Sequence, residues 1–315
     1  MNYLRISVTD RCNLRCIYCM PPGGITLSPR GEILRYEEIQ AVAQAAAALG
    51  INKLRLTGGE PLLRSGLPHL VGMLSQIEGI NDIALTTNGV LLRQYAAPLR
   101  EAGLRRVNVS LDTLKRERFH QITRHDKLGD VLDGIETAKE VGLDPVKVNM
   151  VVMRGINDDE VLDFACLTLK EGWHVRLIEP MPFSSCGATL QFVPISEIQK
   201  RLLSLGALEP CLPSLGNGPA KYFRFPGAKG TVGFITPLSE HFCFNCNRLR
   251  LTVDGKLRPC LLSDEEVDLK SPLRRGALPE DLKGLIQQAV AQKPERHHLS
   301  EGIFPKGRAM CQVGG

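Results

Sequence analysis

Residues 36–57 read YEEIQAVAQAAAALGINKLRLT, and the change of period within this run sets the architecture. Ile39, Val42, Ala43, Ala46 and Leu49 recur at three- and four-residue spacing, the apolar stripe of an amphipathic helix. Gly50 follows where a helix favours a left-handed C-cap. Lys53 to Thr57 then alternates as a strand does. The same alternation continues on both sides of this run. Strands are predicted at Leu4 to Val8, Lys53 to Thr57, Asp82 to Thr87, Arg106 to Leu111, Val146 to Val152 and His174 to Ile178. Helical stripes run through Leu67, Leu70, Val71, Leu74 and Ile77, and through Leu91, Tyr95, Leu99 and Ala102 with Gly103 after. Six strands, each followed by a helix, predict an α/β protein whose parallel sheet coils into a full or partial barrel.

The pattern changes at Leu212 to Pro219, where Pro, Ser, Gly and Asn cluster as in a linker or long connection. This divides the chain into an N-terminal barrel, residues 1–212, and a C-terminal region, residues 213–315. In the latter, Tyr222 to Thr236 reads as extended. Arg248 to Val253 and Lys256 to Pro259 flank an Asp254-Gly255 turn like a hairpin, and a helix is expected from Pro279 to Gln292. There is no internal repeat.

With 315 residues, 43% hydrophobic and 23% charged, the chain has the composition of a protein with a sizeable core, not a disordered or fibrous one. A net charge of +5, from 39 basic and 34 acidic residues, is too mild to announce a nucleic-acid binder, though it leaves room for a local anion site. No run approaches the about 18–20 apolar residues of a membrane helix. Met1 to Arg5 has no basic stretch leading into an apolar one, so no secretory signal is expected. Ten cysteines in such a chain are read as reduced thiols in a cytosolic protein: ligands, nucleophiles or core residues.

Three of them, Cys12, Cys16 and Cys19, share the loop after the first strand. Three thiolates this close suit a cubane cluster with one iron left open to a substrate. Structural zinc, which normally takes a fourth Cys or His, and unligated thiols are the alternatives. Cys243, Cys246 and Cys260 repeat the pattern as C-x2-C-x13-C. There a zinc site closed by His241 competes with a second iron–sulfur cluster that has an open iron. Cys166, Cys186, Cys211 and Cys311 read as buried or idle thiols, and His297-His298 as a surface pair. Gly58 and Gly59 suit a backbone that approaches a ligand closely, and Glu60 offers an acceptor for an ammonium group. Taken alone, these residues also fit an ordinary turn into a helix begun by Pro61.

Cys12-Asn13-Leu14-Arg15-Cys16-Ile17-Tyr18-Cys19, with Gly58-Gly59-Glu60-Pro61 at the end of the second strand, resembles the signature of radical S-adenosylmethionine enzymes. The resemblance implies a partial (β/α)6 TIM-like barrel of the radical SAM type, with the C-terminal extension closing its open side. It implies a 4Fe–4S cluster whose open iron chelates S-adenosylmethionine, and an electron that splits the sulfonium into methionine and a 5′-deoxyadenosyl radical. Phe242 to Thr252, with Asp254-Gly255, Cys260-Leu261, Arg5 to Cys12 and the terminal Gly314-Gly315, is similar to the GTP 3′,8-cyclase family of molybdenum cofactor biosynthesis.

That narrower resemblance covers nearly the whole chain. It implies a lyase with two 4Fe–4S clusters, on Cys12, Cys16 and Cys19 and on Cys243, Cys246 and Cys260. It assigns GTP to Arg5, Arg55, Thr86, Lys147, Arg248, Leu249 and Arg250. It assigns S-adenosylmethionine to Tyr18, Gly58, Gly59, Glu60, Ser110 and Met181. Catalysis falls to the first three cysteines with Arg248, Arg250, Gly314 and Gly315, the glycine tail reaching into the site. The radical takes a hydrogen from C3′ of GTP, and C3′ then attacks C8 of the guanine. A flavodoxin or ferredoxin supplies electrons, and a cyclic pyranopterin monophosphate synthase consumes the product. The location is cytoplasmic, with no nucleic acid or membrane as partner, and monomer and homodimer are both open. The family carries a longer arm before the first strand, often with an arginine. The stretch Phe183 to Phe192 also departs from its pattern, leaving contacts after Met181 open.

Overall fold

The computed structural model describes residues 1–182, 190–212, 218–240, 242–301 and 304–314. Strands β1 (Tyr3–Ser7), β2 (Lys53–Thr57), β3 (Asp82–Thr87), β4 (Arg106–Ser110), β5 (Val146–Val151) and β6 (His174–Ile178) stand within a residue of the predicted bounds. After them come β7 (Glu209–Cys211), β8 (Lys221–Arg224), β9 (Thr231–Ile235), β10 (Arg248–Leu251), β11 (Lys256–Arg258) and β12 (Val267–Asp268). The helices are α1 (Tyr36–Ala48), α2 (Leu67–Ser75), α3 (Leu92–Glu101), α4 (Arg116–Thr123), α5 (Leu128–Glu140), α6 (Val161–Lys170), α7 (Ile195–Leu202), α8 (Lys270–Arg274), α9 (Pro279–Ala291) and α10 (Met310–Val313).

All twelve strands form one sheet in the order β12-β11-β10-β1-β2-β3-β4-β5-β6-β9-β8-β7, an open order and not a closed barrel. The six predicted strands run in sequence order and in parallel, as the helical crossovers require. β10 joins β1 and β9 joins β6, both in parallel, so the C-terminal part of the chain extends the sheet at both edges. The predicted Asp254-Gly255 turn links β10 to antiparallel β11, with Gly255 at φ 80°. The extended Tyr222 to Thr236 is the β8–β9 hairpin. Helix α9 packs on α1, and α10 brings the C-terminus against β1.

Side chains alternate across each strand, and the two faces differ in kind. Leu4, Ile6, Leu54, Leu56, Val107, Val109, Val148, Val175, Leu177, Leu249 and Leu251 are buried in the aliphatic layer beneath the helices. The opposite parity carries Tyr3, Arg5, Arg55, Thr86, Arg106, Asn108, Lys147, Asn149, Arg176, Arg248 and Arg250. The register places Arg250, Arg5 and Arg55 side by side on β10, β1 and β2. Leu249 therefore belongs to the aliphatic layer, on the face away from Arg248 and Arg250.

A candidate active site between two sets of thiols

The loop carrying Cys12, Cys16 and Cys19 is fastened from both sides. Arg15 N and Ile17 N donate to Thr123 O and Ile122 O, each at 2.9 Å. The Arg15 guanidinium turns back onto Cys12 O at 2.6 Å and Leu14 O at 2.9 Å. On the other side, Gly59 N and Glu60 N donate to Thr9 O and Arg11 O, both at 2.7 Å. A Cβ on Gly58 would lie 2.3 Å from Thr9 O, and one on Gly59 2.4 Å from Arg11 O. Both contacts are with backbone, so only glycine fits. The close approach foreseen for these glycines is thus made to the cluster loop, and both also line the cavity in front of it.

Glu60 is held by the protein's own donors. It is fully buried, and its carboxyl accepts from Leu62 N at 2.9 Å, Thr87 Oγ1 at 2.8 Å and Asn88 N at 2.7 Å. Burial still pushes it up to about 7 against those three donors. It straps the loops after β2 and β3 together, and it is not among the cavity's lining residues.

That first cavity, about 200 Å³, is lined by Cys12, Cys16, Cys19, Tyr18, Gly58, Gly59, Ser110 and Met181, a grouping that brings together most of the expected cofactor-facing residues. Tyr18 Oη donates to Asp112 Oδ2 at 2.7 Å, and Asp112 Oδ1 accepts from Val151 N at 2.8 Å. Burial raises Asp112 to about 6 despite both donors. Burial also raises Cys12 to about 11, and drives Cys16 and Tyr18 well up with the Asp112 charge beside them. Leu14 N lies 3.4 Å and Asn88 Nδ2 3.8 Å from Cys12 Sγ, donors suited to a thiolate.

The second cavity, about 120 Å³, is cationic. Arg5, Arg55, Thr86, Arg248 and Arg250 line it as expected, joined by Lys53, Arg106 and Arg176, which the sequence reading did not single out. Arg55 donates to Tyr3 Oη and, at 3.2 Å, to Thr86 Oγ1. Arg106 forks onto Asp82 at 3.0 and 2.5 Å, and Arg176 donates to Tyr222 Oη at 2.7 Å. Burial, with Arg55 and Arg248 nearby, lowers Arg5 to about 10. Burial would raise Tyr3, but Arg55 and Arg5 outweigh it and leave that phenol at about 8. So many buried cations with so few carboxylates leave a positive excess that suits a polyanion. Lys147 is set back from this lining. Its Nζ lies 5.3 Å from the Tyr222 ring centroid, and burial together with Arg176, Arg106 and Arg55 lowers it to about 6.

Cys243, Cys246 and Cys260 line the third cavity, about 90 Å³, with Arg248, Arg250, Leu261, Lys293 and His297. Lys293 Nζ donates to Arg248 O at 3.0 Å and Pro259 O at 2.6 Å, clamping β10 to the end of β11. Burial opposes ionisation of Cys246, but Arg248 and Lys293 bring it down to about 7. His297 is not the surface residue expected. It is buried, with Nε2 3.0 Å from Pro237 O, while His298 is exposed. His241, Cys186 and Gly315 lie outside the described residues, as does most of Phe183 to Phe192.

Met181 lines all three cavities. The middle cavity shares Thr86 and Asn149 with the first, and Arg248 and Arg250 with the third. The tail enters this arrangement from β1: Arg250 Nη1 donates to Gly314 O at 2.5 Å, and Met310 and Cys311 line the first cavity. Cys311 is a buried thiol, one of the two readings given for it, and it lines the first cavity with Cys12, Cys16 and Cys19. Arg106, Arg176 and Asn149 were findable by extending to β4, β5 and β6 the parity that picks out Arg5 and Arg55. Cys311 and Asp112 carry no such signal.

The donor sets fit iron–sulfur clusters: each is three thiols walling a cavity, and a cubane spreads its thiolates over separate irons.

Residues 6–167 match the family model described as Radical SAM superfamily, and residues 173–299 the one described as Molybdenum Cofactor Synthesis C. A GTP 3′,8-cyclase of Pelotomaculum thermopropionicum is 55% identical over 318 residues, covering 100% of this chain and 98% of the relative. One from Moorella thermoacetica is 52% identical over 316 residues, with 100% and 98% covered. Among solved structures, Streptococcus suis SuiB bound to S-adenosylmethionine shares the fold, with a TM-score of 0.63 at 11% identity over 90% of this chain and 67% of that one. Matched along its whole length by relatives above half identity, the chain belongs to the GTP 3′,8-cyclase family within the radical SAM superfamily.

Proposed function

We propose that the chain is a GTP 3′,8-cyclase, a lyase that joins C3′ to C8 within GTP. The product is (8S)-3′,8-cyclo-7,8-dihydroguanosine 5′-triphosphate, the first intermediate of molybdenum cofactor biosynthesis. One observation carries the reading: two sets of three thiols stand at opposite ends of a cationic chamber, and the three cavities meet at Met181.

In this reading Cys12, Cys16 and Cys19 hold one 4Fe–4S cluster, and Cys243, Cys246 and Cys260 hold another. When bound, the first cluster and S-adenosylmethionine supply a low-potential electron and a primary carbon radical. The chain's own residues do the rest. Tyr18, Gly58, Gly59, Ser110 and Met181 shape the space for S-adenosylmethionine. Arg5, Arg55, Arg106, Arg176, Arg248 and Arg250 hold the triphosphate and base between the two thiol sets, with Thr86 at the junction. Gly314 closes the chamber through Arg250. Enclosure keeps water and side-chain hydrogens away from a reactive centre.

We further read residues 1–212 as the barrel and 213–315 as the region that carries the second cluster. The setting we infer is cytoplasmic, with a flavodoxin or ferredoxin as electron donor and a pyranopterin-forming synthase downstream. Among the described residues no helix is long and apolar enough to cross a membrane.

Lys147 gives this reading a pH signature. Its ammonium is lowered to about 6 by burial and by Arg176, Arg106 and Arg55, so at pH 8 the free protein holds it neutral. A triphosphate in the chamber cancels those positive neighbours and raises it again. GTP binding at pH 8 is expected to take up about one proton, and affinity to weaken as pH rises above 6. Calorimetric titration in two buffers of different ionisation enthalpy measures the uptake. Lys147→Met is expected to abolish it. Native protein that binds GTP with no uptake would show that no anion sits near this lysine.

A further inference from the structure

Tyr222 on β8, Gly233 on β9, Arg176 on β6 and Asn149 on β5 stand side by side in one row of the sheet. Residues paired across strands share a face, so Gly233 leaves bare strand between the tyrosine and the arginine. Tyr222 reaches over that gap, two strand spacings or about 10 Å, and its Oη accepts from Arg176 Nε at 2.7 Å. The ring rests on the glycine: a Cβ on Gly233 would lie 3.0 Å from Tyr222 Cε1 and 3.3 Å from Arg176 Cγ. Both side chains are buried. Arg176 lines the cationic cavity, and Tyr222 is not among its lining residues.

We propose that Tyr222 is a positioning residue: it holds Arg176 by Nε and leaves the two terminal nitrogens for the triphosphate of GTP, and Gly233 is what admits it. This rests on the reading that the cationic cavity holds GTP. A guanidinium fixed at Nε can still meet a phosphate with its terminal N–H groups, two at a time. A phenol oxygen accepts the hydrogen bond without bringing a countercharge, unlike the Asp82 carboxylate that takes Nε and Nη2 of Arg106. Arg55 is held in the same way, giving Nε to Tyr3 Oη and Nη1 to Thr86 Oγ1. The Tyr222 ring also has Lys147 Nζ 5.3 Å from its centroid, so one side chain from β8 meets a cation on β6 and another on β5.

The test is equilibrium binding to the holoenzyme, with GTP, inorganic tripolyphosphate and guanosine as three separate probes. Tyr222→Phe keeps the ring and removes only the acceptor. It is expected to weaken GTP and tripolyphosphate about tenfold each, the scale of one hydrogen bond to a charged group, and to leave guanosine unchanged. Gly233→Ala is expected to show the same pattern, because its methyl group displaces the ring from Arg176. Unchanged GTP affinity in Tyr222→Phe overturns the proposal. So does an equal loss for all three probes, since the tyrosine would then support the chamber as a whole and not one guanidinium. A native holoenzyme that binds neither GTP nor tripolyphosphate would overturn the reading of the cationic cavity itself, and this inference with it.

Discussion

Cys260→Ser is expected to lose one cluster and leave the other. Iron content should fall from about eight to about four per chain. Reductive cleavage of S-adenosylmethionine should stay measurable, while formation of the cyclised nucleotide falls by at least about a hundredfold. The separation follows from geometry. Cys260 follows β11 and lines the cavity of the second thiol set, and it does not touch the cavity of Cys12, Cys16 and Cys19. Leu262 N lies 3.4 Å from its sulfur, as for a ligating thiolate, and serine offers a poorer ligand there. Iron analysis with chromatography for 5′-deoxyadenosine and the GTP isomer reads all three quantities. Loss of cleavage with both clusters intact would contradict the division of labour.

Gly314→Ala is expected to act through the tail with an effect as large. Gly314 has φ 73°, which disfavours any other residue, and a Cβ there would lie 2.3 Å from Thr57 Cγ2. Thr57 or the tail must shift to admit the methyl group, and the left-handed φ, unfavourable for alanine, puts the shift on the tail. Withdrawal breaks the Arg250 hydrogen bond and removes Met310 and Cys311 from the first cavity. Cyclisation is expected to fall about a hundredfold or more, since misplacing site groups by about 1 Å costs that much. The barrel itself should stay intact, because no strand of the sheet runs through the tail. Comparing turnover with thermal unfolding checks the split. A variant that keeps native turnover would show that the tail plays no part in the reaction.

The barrel strands were legible because two periods alternate cleanly: the α1 stripe at helical spacing, then Lys53 to Thr57 at period two. The parallel additions β9 and β10 were not. Tyr222 to Thr236 and Arg248 to Val253 read as extended, but pairing partners 57 residues away for β9 and 245 for β10 leave no mark on local pattern. The two cysteine sets were legible from spacing, and Arg5, Arg55 and Lys147 from the incongruous place of a charge in the sheet's strands, whereas Arg106 and Arg176 in the same kind of place were passed over. The partners of Glu60 were not legible, because Thr87 and Asn88 reach its carboxyl only through the folding of β3 beside β2. The place of Cys311 was not legible because a tail position carries no clue to its surroundings, and only the path of α10 against β1 brings it to the cavity of the first thiol set.

The most direct measurement is an anaerobic incubation of protein carrying both clusters with GTP, S-adenosylmethionine and a strong reductant, followed by chromatography. A chamber that holds GTP between two clusters predicts 5′-deoxyadenosine together with a new isomer of GTP, and neither when GTP or the reductant is left out. Deoxyadenosine accumulating with GTP unchanged would contradict the account: the radical chemistry would stand, and the cationic chamber would have to be built for a different substrate.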